Sequence, residues 1–188
     1  MLLKEKYNKE VIPKFKEKYG YKNNLMAPKI EKVVVSLGVN RAISEGNKDY
    51  LKWLENTLRQ ITGQNPVVTL AKESISNFKI REGVPVGLKV TLRGRRMYDF
   101  LDKLINIALP RSRDFRGISS KAIDKQGNLS LGFSEQVVFP EINPAEAPCT
   151  HGFEVTVVTT AFDRQKAKDL LEFCGFPFEI KIPQIRTH

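Results

Sequence analysis

Two residues two positions apart, Cys149 and His151 in the string CTHG, are the first place to look for chemistry in this 188-residue chain. A thiol and an imidazole at that spacing could begin a zinc site or a nucleophile–base pair. Structural zinc needs four ligands in paired spacings. The only other cysteine is Cys174 and the only other histidine is the last residue, His188, so no metal is expected. Asp99 and Asp102 lie three apart on a helical stretch and could pair as carboxylates. Solvated charges among Arg95, Arg96 and Lys103 are the simpler reading. DFRG (Asp114–Gly117) has the look of a kinase DFG, but no other kinase element accompanies it. No GxxxxGK[ST] phosphate loop, GxSxG elbow or HExxH pair occurs. The chain reads as a non-enzyme without a cofactor.

The charges point instead to binding. The net charge is +10, and residues 1–110 hold 21 Lys+Arg against 11 Asp+Glu, whereas the rest of the chain is balanced. Lys72, Lys79, Arg81, Lys89 and Arg93 are followed by a basic loop with Arg111, Arg113 and Arg116. Residues 126–162 contain no Lys or Arg, yet carry Glu135, Glu141, Glu146 and Glu154. A cationic stretch suits a polyanion such as RNA, and a base-free acidic one suits a basic protein. Two ordinary solvated faces are the plain alternative. Thr91 and Gln64 offer hydrogen bonds to sugar hydroxyls or bases. Phe78 and Phe115, in basic loops, either stack on exposed bases or pack inside.

These groups need elements to hold them. Leu3, Tyr7, Val11, Phe15 and Tyr19 recur at helix spacing, with Pro13 interrupting or restarting the helix and Gly20 ending it. Leu51, Leu54, Leu58 and Ile61 form a second helical stripe, stopped at Gly63. Met97, Phe100, Leu101, Leu104, Ile105 and Ala108 form a third, stopped at Pro110. Ala167, Leu170, Leu171 and Cys174 form a last one, stopped at Gly175. Strands are expected at 30–37, 67–70, 86–92, 129–133, 136–139 and 153–160. Residues 71–84 read as a hairpin or a projecting loop, and 140–150 as an extended Pro-rich loop. Val86, Leu88, Val90 and Leu92 alternate with Gly87, Lys89, Thr91 and Arg93, which puts a polar, basic face opposite a core face. The fold class expected is α+β: a largely antiparallel sheet, helices packed on one side, the basic polar face exposed. Residues 1–178 read as one domain and 179–188 as a tail. The longest apolar run is three residues, far short of a membrane span. The start, MLLKEKYNKE, has no apolar leader core. Two cysteines and no leader point to a reducing, cytoplasmic setting, with no membrane partner.

Three long strings go further. Residues 62–94 (TGQNPVVTLAKESISNFKIREGVPVGLKVTLRG), 108–119 (ALPRSRDFRGIS) and 127–142 (GNLSLGFSEQVVFPEI) resemble the bacterial-type 5S-rRNA-binding protein number five of the large ribosomal subunit. The likeness runs from Tyr7 to the GFPF at 175–178. It implies a ribosomal protein that binds 5S rRNA and anchors it in the central protuberance. It implies a 5S contact through the sheet face at Ser36, Gln64 and Thr91, beside Lys89 and Arg93. The first position is commonly Asn in the family; Ser36 keeps one donor and acceptor on a shorter arm. The resemblance also implies that the loop with Lys72, Ser74, Asn77, Phe78, Lys79 and Arg81 approaches P-site tRNA. The loop with Glu135, Glu141 and Glu146 would meet small-subunit head protein number thirteen, and Arg111, Arg113 and Arg116 other large-subunit rRNA. A free-standing RNA-binding chaperone is the competing reading.

Overall fold

The computed structural model describes residues 3–39, 48–78, 80–113, 115–144 and 149–179, apart from the side chains of Lys48 and Phe78. Five strands build one antiparallel sheet: β1 (Ile30–Gly38), β2 (Val67–Leu70), β3 (Pro85–Leu92), β4 (Leu129–Phe133) and β5 (Phe153–Thr159). Their order is β2-β3-β1-β5-β4. Because side chains alternate along a strand, pairing fixes which residues share a face. Val33 faces Leu92 and Val157, and Val35 faces Val90 and Val155. All six are buried. Each such side chain contributes roughly 1.5–3 kcal/mol on leaving water, which pins the register.

The helices cover that inner face. They are α1 (Leu3–Lys6), α2 (Ile12–Tyr19), α3 (Lys48–Thr62), α4 (Gly94–Lys103), α5 (Leu109–Arg111) and α6 (Arg164–Cys174). Helix α3 packs against β3, and α4 against β1. Most of each expected stripe is buried: Leu3, Val11 and Phe15; Leu54, Leu58 and Ile61; Met97, Phe100, Leu101, Leu104 and Ala108; Ala167, Leu170, Leu171 and Cys174. Tyr7, Tyr19, Leu51 and Ile105 are half-buried.

Both prolines in helical stretches act differently from simple breakers. A π-turn at Tyr7–Val11 leads into α2, and another at Leu104–Ala108 joins α4 to α5. The residue before each proline bonds five back, Ile12 to the Tyr7 carbonyl and Leu109 to the Leu104 carbonyl. A proline ring clashes with the carbonyl four residues earlier. The wider turn lets the chain stay helical past Pro13 and Pro110. Pro110 therefore does not stop the third helix, which ends at Arg111.

One expected strand is absent. Gln136–Val138 is a single 3₁₀ turn, not a strand. The Gln136 side chain, 2% exposed, explains it. Its Nε2 donates to the Cys149 carbonyl at 2.8 Å, and its Oε1 accepts from the His151 backbone N–H. The amide side chain does for this loop what a neighbouring strand would have done.

Candidate nucleic-acid interface

The outer face of the sheet carries the predicted residues in two adjoining rows. Val67, Lys89, Ser36, Glu154 and Gly132 follow one another across the five strands. Thr91, Val34, Thr156 and Ser130 form the next row. Lys89, Glu154, Ser130 and Gly132 are exposed; Ser36, Val34, Thr91 and Thr156 are half-buried. Gln64 enters from the end of α3, where Gly63 closes the helix with φ +69°. Its Nε2 donates to the Thr91 carbonyl at 3.2 Å, which fixes the side chain over β3. Ser36, Gln64, Lys89 and Thr91 thus stand on one surface. Arg93 follows the end of β3, exposed at its margin. Neither Lys89 nor Arg93 has an ion-pair partner among the described residues. Ser36, Thr91 and Thr156 put hydroxyls at the centre of the face, with Lys89 and the exposed Glu154 on either side of Ser36 and Arg93 at the margin. Preset hydroxyls and amides fit sugar and base edges, while separated cations fit a phosphate path.

Close strand approach also shapes this face. A shallow depression of about 430 Å³ lies over the ends of β1, β3 and β5 and includes Gly38, Gly87 and Gly152. A Cβ on Gly87 would stand 2.8 Å from the Leu37 carbonyl oxygen and 3.0 Å from Thr69 Oγ1. Only hydrogen fits there, and Gly87 itself is buried under these neighbours. The alternation of β3 registers Gly87 as outward-facing, but the close approach of Leu37 and Thr69 to it is set by neighbouring strands and is not legible in the sequence.

The second predicted set forms a separate projection. Ile75 and Ile80 exchange backbone hydrogen bonds of 2.9 and 3.1 Å, and Ala71 N–H donates to the Val84 carbonyl at 2.9 Å. Residues 71–84 are therefore a small hairpin around Ser76–Phe78. Ser74 Oγ accepts from the Glu82 N–H at 2.9 Å and braces it. Lys72, Asn77 and Arg81 are exposed on this arm. Lys79 and the Phe78 side chain lie outside the described residues.

The acidic set is already engaged within the chain. Glu141 pairs with Lys103 at 2.6 Å, and Lys103 also donates to the Ile61 carbonyl at 2.7 Å. Glu135 lies 3.4 Å from exposed Arg113. Glu146 lies outside the described residues. The charge of the base-free stretch is thus partly answered by bases drawn from α4 and the 111–117 loop. Arg111 and Arg116 are exposed, and Phe115 packs half-buried against the core. The C-terminal segment closes on this loop: Ile118 N–H donates to the Pro177 carbonyl at 2.7 Å.

No constellation for catalysis accompanies these surfaces among the described residues. Tyr50 Oη and Cys149 Sγ are 3.1 Å apart, with His151 beside the Tyr50 ring. Burial pushes the Tyr50 phenol upward and the His151 imidazole downward, so both favour their neutral forms. Among the described residues no group of three His, Cys, Asp or Glu side chains could hold a metal, and no helix is long and apolar enough to cross a membrane.

An open polar sheet with Lys89 on its face and Arg93 at its margin, beside an arm that carries Lys72 and Arg81, fits an RNA-binding α+β protein. Comparison with known proteins gives the family. Residues 23–81 match the model of ribosomal protein L5, and residues 85–178 match the model of the C-terminus of the same ribosomal family. The two matched segments share one sheet, with β1 and β2 from the first and β3, β4 and β5 from the second. The chain is 53% identical over 176 residues to large ribosomal subunit protein uL5 of Caldanaerobacter subterraneus, covering 94% of this chain and 97% of that one. It is 55% identical over 179 residues to uL5 of Natranaerobius thermophilus (94% and 97%) and 51% identical over 179 to uL5 of Thermotoga maritima (94% and 95%). The chain belongs to the uL5 family. It is a structural, rRNA-binding component of the large ribosomal subunit, works in translation in the cytoplasmic ribosome, and is not an enzyme.

Proposed function

We propose that the open sheet face is the docking surface for 5S rRNA and anchors it in the central protuberance. The observation that carries this is the pairing of Ser36 with Lys89 and of Gln64 with Thr91 on one uncovered surface. The Thr91 and Ser36 hydroxyls, with the second Nε2 hydrogen and the Oε1 of Gln64, meet ribose 2′-hydroxyls and base edges, which selects RNA over DNA. Lys89 and Arg93 meet phosphates and set the position of the RNA without reading its sequence. The rigidity of the pleated backbone keeps these donors in place before the RNA arrives, so little ordering entropy is lost on binding.

The hairpin with Lys72, Ser74, Asn77, Phe78, Lys79 and Arg81 reaches towards P-site tRNA, its cations answering the tRNA backbone. Arg111, Arg113 and Arg116 contact further rRNA of the large subunit. The segment with Glu135, Glu141 and Glu146 meets the basic small-subunit head protein number thirteen, and its pairs with Arg113 and Lys103 exchange for intermolecular ones on contact.

Binding of 5S rRNA by Thr91→Ala and Gln64→Ala tests the first assignment. Each loses roughly 1–3 kcal/mol if its partner is left buried and unsatisfied. Affinity equal to that of the parent in both removes the face from the 5S site. Arg81→Glu with Lys72→Glu should spare 5S affinity and weaken tRNA retention on the ribosome; equal loss of both would make the hairpin part of the 5S site.

A further inference from the structure

Phe162 is the one non-glycine residue with positive φ among the described residues, at +49°. It is also 83% exposed. A bulky side chain in the left-handed region costs free energy, and an exposed phenyl ring gains nothing from packing to offset it. Such a combination points to a task performed by the ring itself. Its position says which task. The outer face continues beyond the two rows already described through Lys32 opposite Val158. Past β5, Thr160 N–H donates to the Lys29 carbonyl at 2.9 Å and Lys29 N–H donates to Thr160 Oγ1 at 3.0 Å. Phe162 follows two residues later, at the end of the sheet where β5 leaves it. The turn before β4 adjoins it: a Cβ on Gly127 would lie 3.3 Å from the Asp163 carbonyl oxygen. In the segment leading into β1, Leu25 (90%) and Met26 (59%) are also exposed apolar side chains.

The rim is cationic. Lys29 and Lys125 are exposed, and Lys32 is half-buried. The nearby acids are mostly committed. Asp163 caps α6 by accepting from Gln165 N–H, and Asp124 accepts two bonds of 2.8 Å from Asn128. Glu31 sits 3.8 Å from Lys32. An aromatic ring held out among lysines matches a flexible nucleotide: the ring takes the base face and the lysines take the phosphates. We infer that Phe162 is a stacking platform for an unpaired base of 5S rRNA, extending the RNA footprint from the sheet onto the rim that carries Lys29 and Lys125. This rests on the sheet-face reading and adds a contact that the sheet residues do not supply.

The test uses the full chain and a 5S rRNA transcript, with Phe162→Ala, Phe162→Gly and Phe162→Trp beside Thr91→Ala. Loss of a stacked base weakens binding about ten-fold in Phe162→Ala and Phe162→Gly. Glycine accepts the backbone angle freely, so Phe162→Gly keeps or raises the Tm, by up to ~2–4 °C, while losing affinity. Opposite movement of stability and affinity is the signature of a functional ring. Phe162→Trp retains affinity, and its added indole fluorescence, over that of Trp53 in the parent, is quenched by RNA. Parent-like affinity in Phe162→Ala, or an unquenched indole at saturation, overturns the inference. So does parent-like 5S affinity with poor entry into large subunits, which would make the ring a protein contact. If Thr91→Ala weakens binding and Phe162→Ala does not, the sheet reading stands without the rim; if neither weakens it, both fall.

Discussion

Replacing Gln136 tests how one buried amide holds the loop that reaches from β4 to β5. Its Nε2 and Oε1 satisfy the Cys149 carbonyl and the His151 N–H. Gln136→Ala leaves two backbone groups without a partner. An orphaned buried group costs about 1–3 kcal/mol. Cys149 is only half-buried, so water can recover part of its carbonyl's loss. The expected destabilisation is about 2–3 kcal/mol, or a fall in Tm of roughly 5–10 °C for a chain of this size. Gln136→Leu keeps most of the volume and should lose as much, which separates hydrogen bonding from packing. Urea unfolding of the three proteins measures the energies, and amide hydrogen exchange at His151 reports the local event: its protection drops in both variants. If both variants lie within ~0.5 kcal/mol of the parent, or the His151 amide stays protected, the clamp is not what orders the loop.

Three further outcomes follow from buried groups. Burial lowers the His151 pKa below its ordinary value, so below pH ~6.5 the unfolded chain takes up a proton that the folded chain resists. This contribution is present above pH ~6.5 and declines as pH falls towards the folded pKa; the slope of stability against pH in that window should flatten in His151→Asn, and an unchanged slope would refute it. Asp169, 2% exposed, accepts from Tyr19 Oη at 2.5 Å and from Gln165 Nε2 at 3.1 Å, and pairs with Lys18. The Tyr19 phenol is raised first by burial and then by this carboxylate; in Asp169→Asn its ultraviolet titration should move down yet stay above the free phenol, and no movement would deny the coupling. Burial pushes the Cys174 thiol up to about 12, so a thiol reagent at about pH 8, near the ordinary thiol pKa, should label Cys149 in the folded protein and Cys174 only on unfolding. Equal rates at both would contradict the burial.

Much of this architecture is legible in the sequence because the core signal is periodic. The alternation in 86–92 defines both faces of β3, and helix stripes such as Leu54, Leu58 and Ile61 end where glycines in the left-handed region stop them. Breakers and β-branched runs are weaker guides. Pro110 stays inside a helix because a π-turn makes room for it. The Gln136–Phe139 stretch has the composition of a strand, but a long-range side-chain clamp sets its backbone. The basic face is a matter of placement: Lys89 is on it and Arg93 at its edge, while hydroxyls from β1 and β5 (Ser36 and Thr156), far apart in sequence, stand in the middle. The pairing of Glu141 with Lys103 joins residues 38 apart, and no local pattern announces it. Phe162 is invisible to periodicity, since nothing in its neighbours signals a positive φ or an exposed ring.

The salt dependence of 5S rRNA binding, measured for the parent chain and for Lys89→Ala with Arg93→Ala, addresses the RNA face most directly. With about six phosphates engaged, the parent's log–log slope is about −5 by the duplex rule, and somewhat shallower for looped RNA. Removing two phosphate contacts makes it shallower by about 2 and weakens binding to all RNAs alike. A parent slope near zero, or a double variant with the parent's slope and affinity, would contradict an electrostatic dock on this sheet.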